Sequence, residues 1–147
     1  MVDLKRRQQL NEALELMHFG FRKMIEKPDQ LLAKRGMGRM HHRLLYFIGR
    51  NEGLSVSELN EVLQISKQAL HRPLQQLIAR ELVSSTADET DGRIRRLHLT
   101  RKGRALETRL SRMQRNQFRR VFAQVSKREE RAWREVMRLL GQSDRLP

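Results

Sequence analysis

The chain has 147 residues and carries 31 Lys and Arg against 17 Asp and Glu, a net charge of +14. This surplus favours a polyanionic partner, and because arginine outnumbers lysine and its planar fork suits phosphate and guanine, nucleic acid is favoured over an anionic membrane. The absence of cysteine excludes disulfides, thiolate metal sites and cysteine redox chemistry. No apolar run could span a bilayer or act as a signal peptide, so we expect a cytoplasmic protein of one domain with helical additions.

Apolar residues at helical spacing predict a first helix over residues 4–26. The stripe steps by four and three through Leu10, Leu14, Met17, Phe21 and Met24. A helix with one apolar face needs a partner, so we expect this face to form a dimerisation seam. The segment 27–38 contains Pro28 and two glycines and is predicted to be a connection.

Apolar spacing, followed by two capping signals, predicts three more helices in succession. The first covers residues 39–50. Ser55 and Glu58 then have the spacing of a capping box before a short helix, and Ser66 repeats the signal before a helix over 66–80. Two short capped helices separated by a few residues are typical of a helix-turn-helix.

Pro73 stands in the middle of this last helix, where proline costs roughly 3 kcal/mol because it lacks an N–H and crowds the preceding turn. Apolar residues on both sides of Pro73 share one stripe, and Arg72 would be a poor cap, so a continuous helix with a kink is favoured over a restart. The kink would tilt a reading half, 66–72, against a scaffold half, 74–80. The alternative is a tolerated proline with water on the freed Ala69 carbonyl.

The residues after position 80 predict a β-hairpin. The segment 82–86 reads as a strand and 87–93 is rich in turn residues. A second strand over 94–99 ends in alternation, with Leu97 and Leu99 facing inward. The predicted hairpin is a charged wing.

Thr100 is placed to cap a long helix to about residue 124, and a last helix is predicted over 127–140. The predicted fold is mainly α with a small β-hairpin wing (α+β), a winged helix-turn-helix flanked by terminal helices. The predicted organisation is an N-terminal dimerisation helix with its connection (1–38), a DNA-binding domain (39–100) and C-terminal dimerisation helices (101–147).

Two motifs in and after the wing resemble those of the multiple antibiotic resistance regulator (MarR) family. Asp91-Gly92-Arg93 is similar to the D-x-R of that family's wing, and Leu97-His98-Leu99-Thr100-Arg101-Lys102-Gly103-Arg104 is similar to its L-x-L-T-x-x-G-R. The resemblance implies an obligate homodimer that reads a palindrome, often with a small-molecule ligand that shifts the spacing of the reading helices. It also implies that Asp91 orients Arg93 at the DNA.

With its apolar stripe inward, the helix over 66–80 presents an outer face without acids. That face is predicted to contain Gln68, Arg72, Gln75, Gln76 and Ala79, with Lys67 and His71 at its flanks. Glutamine can pair with adenine and arginine with guanine, while Ser66 and the first amides of the helix can take a phosphate. The predicted DNA contacts of the helix are therefore Ser66, Lys67, Gln68, His71, Arg72 and Gln75. The alternative is an ordinary solvated face.

The wing is predicted to contact DNA through Arg93 and Arg95. Acids at its tip would repel phosphate, so we expect Asp91 to turn back and hold the Arg93 guanidinium in bidentate fashion as support, with Arg93 in the minor groove. The alternative is a surface ion pair in a loose loop, worth about 0–1 kcal/mol.

The five histidines do not form a metal pattern, and no catalytic motif is present, so we expect no cofactor, no metal and no enzyme activity. A candidate effector pocket, for a small aromatic or phenolic compound, would be lined by Met17, His18, Phe21, His41 and Leu45. Core or surface positions are commoner for such residues.

The sequence therefore predicts a homodimeric, sequence-specific regulator of transcription that binds double-stranded DNA at a palindromic operator, a repressor that an effector could release. Two alternatives stay open, a non-specific architectural nucleic-acid-binding protein and a winged-helix module that binds protein.

Overall fold

A computed structural model describes residues 3–147 of the chain and confirms the predicted fold class. The described residues form six α-helices and one antiparallel hairpin. In chain order these are α1 (Leu4–Ala33), α2 (Arg39–Arg50), α3 (Val56–Leu63), α4 (Lys67–Ala79), β1 (Val83–Ala87), β2 (Arg95–Leu99), α5 (Arg101–Phe122) and α6 (Lys127–Gly141), with a 3-10 turn at Ser143–Arg145. None of the helices in residues 3–147 is long and apolar enough to cross a membrane.

The chain divides into two compact units, one ending at Met113 and the other beginning at Gln114. The hydrophobic core belongs to the first unit. Its fully buried side chains include Leu32, Leu44, Leu45, Ile48, Leu59, Leu70, Leu77, Leu97 and Leu110. Leu97 and Leu99 of β2 are both buried, as the alternation predicts. The helix-turn-helix and the wing therefore share one core, which fixes their relative position.

Helix α1 is longer than predicted. The sequence predicted a helix over residues 4–26 and a connection over 27–38, whereas α1 extends to Ala33. Pro28 lies inside the helix and is fully buried, as is Leu32 one turn later. Burial of these two side chains in the core offsets the hydrogen bond that the proline cannot donate. The connection is therefore only residues 34–38.

Helix α4 is continuous through Pro73, which confirms the predicted continuity. Leu70, Leu74 and Leu77 are buried on both sides of the proline, so the same apolar stripe packs along the whole helix. Ser66 begins the helix, because its Oγ accepts a hydrogen bond from the Ala69 amide at 3.0 Å.

The sequence motif after the wing fixes the start of α5. Thr100 caps the helix, since its Oγ accepts from the Gly103 amide at 3.0 Å and donates to the Glu81 carbonyl at 2.6 Å. Gly103 packs on the backbone of Leu82, where a Cβ would lie 2.8 Å from the carbonyl carbon and overlap its oxygen. Arg104 forms an ion pair with Glu52. Thr100, Gly103 and Arg104 thus join the start of α5 to neighbouring segments of the first unit.

Candidate nucleic-acid interface

The turn between α3 and α4 sets the direction in which α4 leaves the core. Gln64 ends α3 in the left-handed conformation, with φ of 54°. Asn60 braces the turn, because its side-chain amide donates to the Ile65 carbonyl at 3.0 Å. The sequence analysis did not identify Asn60, although a polar residue on an otherwise apolar helix face is the signal that could have found it.

The predicted reading residues of α4 form one exposed surface. Ser66, Lys67, Gln68, His71, Arg72 and Gln75 are all exposed. Apart from the cap made by Ser66, none of these side chains has a hydrogen bond or an ion pair within residues 3–147. The helix carries no acidic residue. This surface, the α4 outer face, therefore offers unpaired donors and acceptors at helical spacing, as the major groove requires.

Gln76 does not belong to this surface, and its predicted outward position is wrong. Its Oε1 lies 2.7 Å from Nε2 of His41, and the His41 Nδ1 accepts from the Gly38 amide at 3.0 Å. Because Nδ1 accepts from the Gly38 amide, we assign the donor role to the other ring nitrogen, Nε2, whose N–H donates to Gln76. Further along, the Arg80 guanidinium donates to the Arg35 carbonyl. The C-terminal half of α4 is thus bonded to the connection and the first turn of α2.

At the wing tip, Asp91 holds Arg93 in the bidentate arrangement that the sequence predicts. Nε of Arg93 donates to Oδ1 at 3.1 Å and Nη2 to Oδ2 at 3.2 Å, while the Arg93 amide donates to Oδ1 at 3.1 Å. These bonds lower the pKa of the Asp91 carboxyl. The Arg93 side chain is nevertheless 91% exposed. Asp91 therefore orients the Arg93 guanidinium and leaves it accessible to solvent.

Asp88 is turned into the wing loop and does not face outward. Its carboxylate accepts from the Thr90 hydroxyl at 2.8 Å, the Thr90 amide at 3.2 Å and the Asp91 amide at 3.1 Å. It also accepts from Nε of Arg96 at 3.0 Å. The Thr90 hydroxyl, Arg96 and the two amides lower the pKa of Asp88 to about 2. Groups within the wing therefore compensate most of the negative charge of Asp88, which reduces its repulsion of a phosphate that approaches the tip.

Arg96 is an anchor that the sequence pattern did not predict. Its guanidinium bridges Asp88 in the loop and Glu58 in α3, the latter at 3.2 Å. The two carboxylates raise the pKa of Arg96. Glu58 therefore does not complete the predicted capping box with its side chain, although its amide does donate to Ser55 Oγ at 3.1 Å. The wing is tied to the helix-turn-helix by charge as well as by packing.

Arg95, the second predicted contact of the wing, is exposed but held along the hairpin. Its Nε donates to Ser85 Oγ at 3.0 Å and its Nη2 to the Ser85 carbonyl at 2.6 Å. Because neither partner is charged, Arg95 keeps its full positive charge for a partner molecule.

The predicted effector-pocket residues have separate roles. Leu45 is fully buried in the core, and His41 uses both ring nitrogens as described above. Met17 and His18 are exposed on α1, and Phe21 lies 5.6 Å from the Arg39 guanidinium. A cleft of about 450 Å³ on α1 is lined instead by Phe19, Arg22, Lys23, Ile25, Glu26 and Asp29. The pocket stays a prediction.

His42 has a structural role in the core. Buried His42 lies with Nε2 at 3.3 Å from Ser111 Oγ, which donates to Glu107 at 2.8 Å. Burial lowers the pKa of His42, and the nearby Glu107 and Asp29 carboxylates oppose that effect. Among residues 3–147, no three His, Cys, Asp or Glu side chains are grouped to hold a metal ion.

Comparison with known proteins agrees with this architecture. A model of the MarR family matches residues 35–94, which include α2, the helix-turn-helix and most of the wing. The HTH-type transcriptional regulator PetP of Rhodobacter capsulatus is 39% identical over 130 residues, covering 88% of this chain and 78% of PetP.

Solved structures with the same fold include Streptococcus pneumoniae FabT in complex with DNA, with a TM-score of 0.78 and 19% identity over 92% of this chain and 95% of FabT. Another is MepR of S. aureus in its DNA-binding conformation, with a TM-score of 0.76 and 19% identity over 89% of this chain and 97% of MepR. The match to the family model and the identity with PetP place the sequence among transcription regulators and not among enzymes. The chain belongs to the MarR family of DNA-binding transcription regulators.

Proposed function

We propose that this protein represses transcription in the cytoplasm by binding, as a homodimer, to a palindromic operator in double-stranded DNA. The observation that carries the proposal is the α4 outer face, which contains no acidic residue and whose side chains, apart from the Ser66 cap, have no partner within residues 3–147, beside a wing that orients Arg93. Occupation of an operator is by itself enough to block polymerase, which favours repression over activation.

In this proposal α4 enters the major groove and the wing reaches the adjacent minor groove. Gln68 and Gln75 are suited to adenine, and Arg72 to the O6 and N7 atoms of guanine. Ser66 and Lys67, at the helix N-terminus, are suited to phosphate. Arg93 is suited to a narrow minor groove, where the negative potential is strongest.

Dimerisation is supported by apolar side chains that a single chain leaves exposed. On α1, Leu10 is 49% exposed and Leu14 72%. In the second compact unit, Trp133 of α6 is 42% exposed and Val136 62%. Exposed apolar surface of this extent on helices is typical of a protein interface, and a two-fold dimer would place the two reading helices about 34 Å apart, one turn of DNA.

We propose release by a small aromatic or phenolic effector on the family resemblance. Calorimetric titration with such compounds, with and without DNA, would detect it. Linkage requires a releasing ligand to bind more weakly to the DNA complex.

Selection of bound duplexes from a random pool tests the central proposal. A sequence-specific dimer enriches a palindrome with half-sites about one helical turn apart. A non-specific architectural protein enriches no sequence, and a protein-interaction module retains no DNA. Either of the last two outcomes would refute the proposal.

A further inference from the structure

The positive charge of the chain lies mainly after the winged segment. Residues 39–100 contain nine Lys and Arg and seven Asp and Glu, a net charge of +2. Residues 101–147 contain fourteen Lys and Arg and five Asp and Glu, a net charge of +9. Neutralisation of phosphates supplies much of the affinity of DNA-binding proteins. The elements that carry the α4 outer face and the wing therefore hold little of the charge that this attraction needs.

The part of α5 that belongs to the first unit presents some of this charge on one face. Arg101, Lys102, Arg109 and Arg112 are exposed and fall within about 100° of one another around the helix axis. Within residues 3–147 these four side chains have no hydrogen-bond or ion-pair partner. The single acid of α5, Glu107, points elsewhere and accepts from Ser111. We name these four cations the α5 basic face.

Helix α6 provides a contrast within the same chain. There Glu130 pairs with Arg134 at 3.4 Å, and Glu135 pairs with Arg138. Like charges three or four residues apart destabilise a helix, and opposite charges at that spacing stabilise it. Arg109 and Arg112 are three residues apart with no acid beside them. A bound polyanion would remove this repulsion.

The start of α5 is also held rigidly against the winged segment. The Thr100 amide donates to the Leu82 carbonyl at 3.1 Å, and the Thr100 hydroxyl donates to Glu81. Gly103 lies in close contact with Leu82, and Arg104 pairs with Glu52. The backbone of Arg101 and Lys102 is thus fixed at the base of the wing, so little backbone conformational entropy is lost when their side chains bind.

We propose that the α5 basic face binds backbone phosphates of the DNA that flanks the operator. The proposal rests on the DNA binding proposed above and adds a second contact region to it. Duplex DNA carries about one negative charge per 1.7 Å of its axis, and a guanidinium fork matches a phosphate. A second copy of this chain would bring the same cations towards this face, so self-contact is disfavoured. Phosphate contacts add affinity without sequence preference.

The test compares two triple variants of the full-length protein with the same change in net charge. The first is Arg101→Gln/Arg109→Gln/Arg112→Gln, which removes cations of the α5 basic face. The matched control is Arg104→Gln/Arg134→Gln/Arg138→Gln, which removes arginines already paired with Glu52, Glu130 and Glu135. Binding is measured across a salt series on two duplexes, one trimmed to the selected operator and one extended on both sides by about one helical turn.

On the extended duplex, we expect the first variant to flatten the plot of log affinity against log salt by roughly 0.9 for each phosphate contact removed. The control should keep the wild-type slope on both duplexes, and the first variant should keep it on the trimmed one. The charge-preserving variant Arg101→Lys/Arg109→Lys/Arg112→Lys should restore the slope on the extended duplex, which separates lost charge from lost folding.

Two outcomes would overturn the inference. One is that the first variant and the control have equal slopes on the extended duplex. The other is that the first variant binds DNA normally but loses dimerisation in sedimentation or loses binding to anionic phospholipid vesicles, which would make the face a protein or membrane contact. Failure of the wild-type protein to bind DNA would instead refute the proposed function, so the two failures are distinguishable.

Discussion

The two halves of α4 differ in what their side chains contact. Before Pro73, Gln68 and Arg72 have no partner within residues 3–147, whereas after it Gln76 is bonded to His41 and Arg80 to the connection behind the helix. In the wing, Arg93 at the tip is exposed although Asp91 orients it, whereas Arg96 at the start of β2 is anchored to Asp88 and Glu58. Exposed groups are available to a ligand, and the anchored groups determine where the exposed ones lie. The sequence periodicity alone does not distinguish them.

Among residues in close contact with other parts of the core, the substitution Gly103→Ala should cause the largest loss of stability. The added methyl group would overlap the Leu82 carbonyl, so the α5 helix or the turn before β1 must shift. We expect a loss of about 3 kcal/mol in the free energy of unfolding, at the upper end for an overpacked site. Denaturant unfolding measures it, with Gly141→Ala as the control, because there an added Cβ would meet no atom of residues 3–147 within 4 Å beyond its chain neighbours and its own helix backbone. Equal stability of the two variants would contradict the tight packing.

The sequence correctly predicted the features of the fold that depend on residues close together in the chain. Caps at Ser66 and Thr100 follow from hydrogen bonds across three residues, and the alternation of β2 follows from its pleat. Two errors came from non-local packing. Pro28 continues α1 because the core buries it, and Gln76 turns back because His41, 35 residues earlier, offers a donor. Similarly, sequence spacing could not reveal that Glu58 and Arg96 would pair across 38 residues.

Among the α4 residues without a partner, the substitution Arg72→Ala should leave thermal stability unchanged, because the Arg72 side chain has no partner within the described residues. If Arg72 reads a guanine, its loss relaxes preference at one base position and costs about 1–3 kcal/mol of discrimination. Repeating the duplex selection with the variant measures this. A uniform loss of affinity across all sequences would make Arg72 a phosphate contact instead.

Adjacent glutamines make the sharpest comparison between anchored and unpaired residues. Gln76→Leu leaves the Nε2–H of His41 without its acceptor, so we expect a loss of about 1 kcal/mol in stability. Gln75→Leu makes the same change at an exposed position whose side chain has no partner within residues 3–147, and its stability should stay within about 0.5 kcal/mol of the wild-type value. Gln76→Leu should also alter operator affinity indirectly, through the position of α4. Similar melting temperatures for both variants would show that the His41 bond contributes nothing.

Pro73 lies between the two halves, so replacing it tests whether the division matters. Pro73→Ala restores an N–H that can donate to the Ala69 carbonyl, and we expect stability to be equal or up to about 1 kcal/mol higher. If the proline tilts the reading half, affinity for the selected operator should change while Gln76 remains bonded. Melting and operator binding measured together decide this. An unaltered affinity and sequence preference would leave the proline without a role in reading.

Substitutions in the wing should have the smallest effects on DNA binding, and they separate the contribution of the Arg93 charge from that of its orientation. Arg93→Ala removes one cation per wing, so two in a dimer, and should flatten the salt dependence by roughly 0.9 log unit per contact, most visibly on operators with A·T-rich flanks. Asp91→Ala leaves the cation but removes both bonds that orient it, so affinity should fall with little change in slope. A salt series with both variants separates charge from orientation. If Arg93→Ala changes neither slope nor affinity, Arg93 does not touch DNA, and the predicted minor-groove contact of the wing tip is wrong.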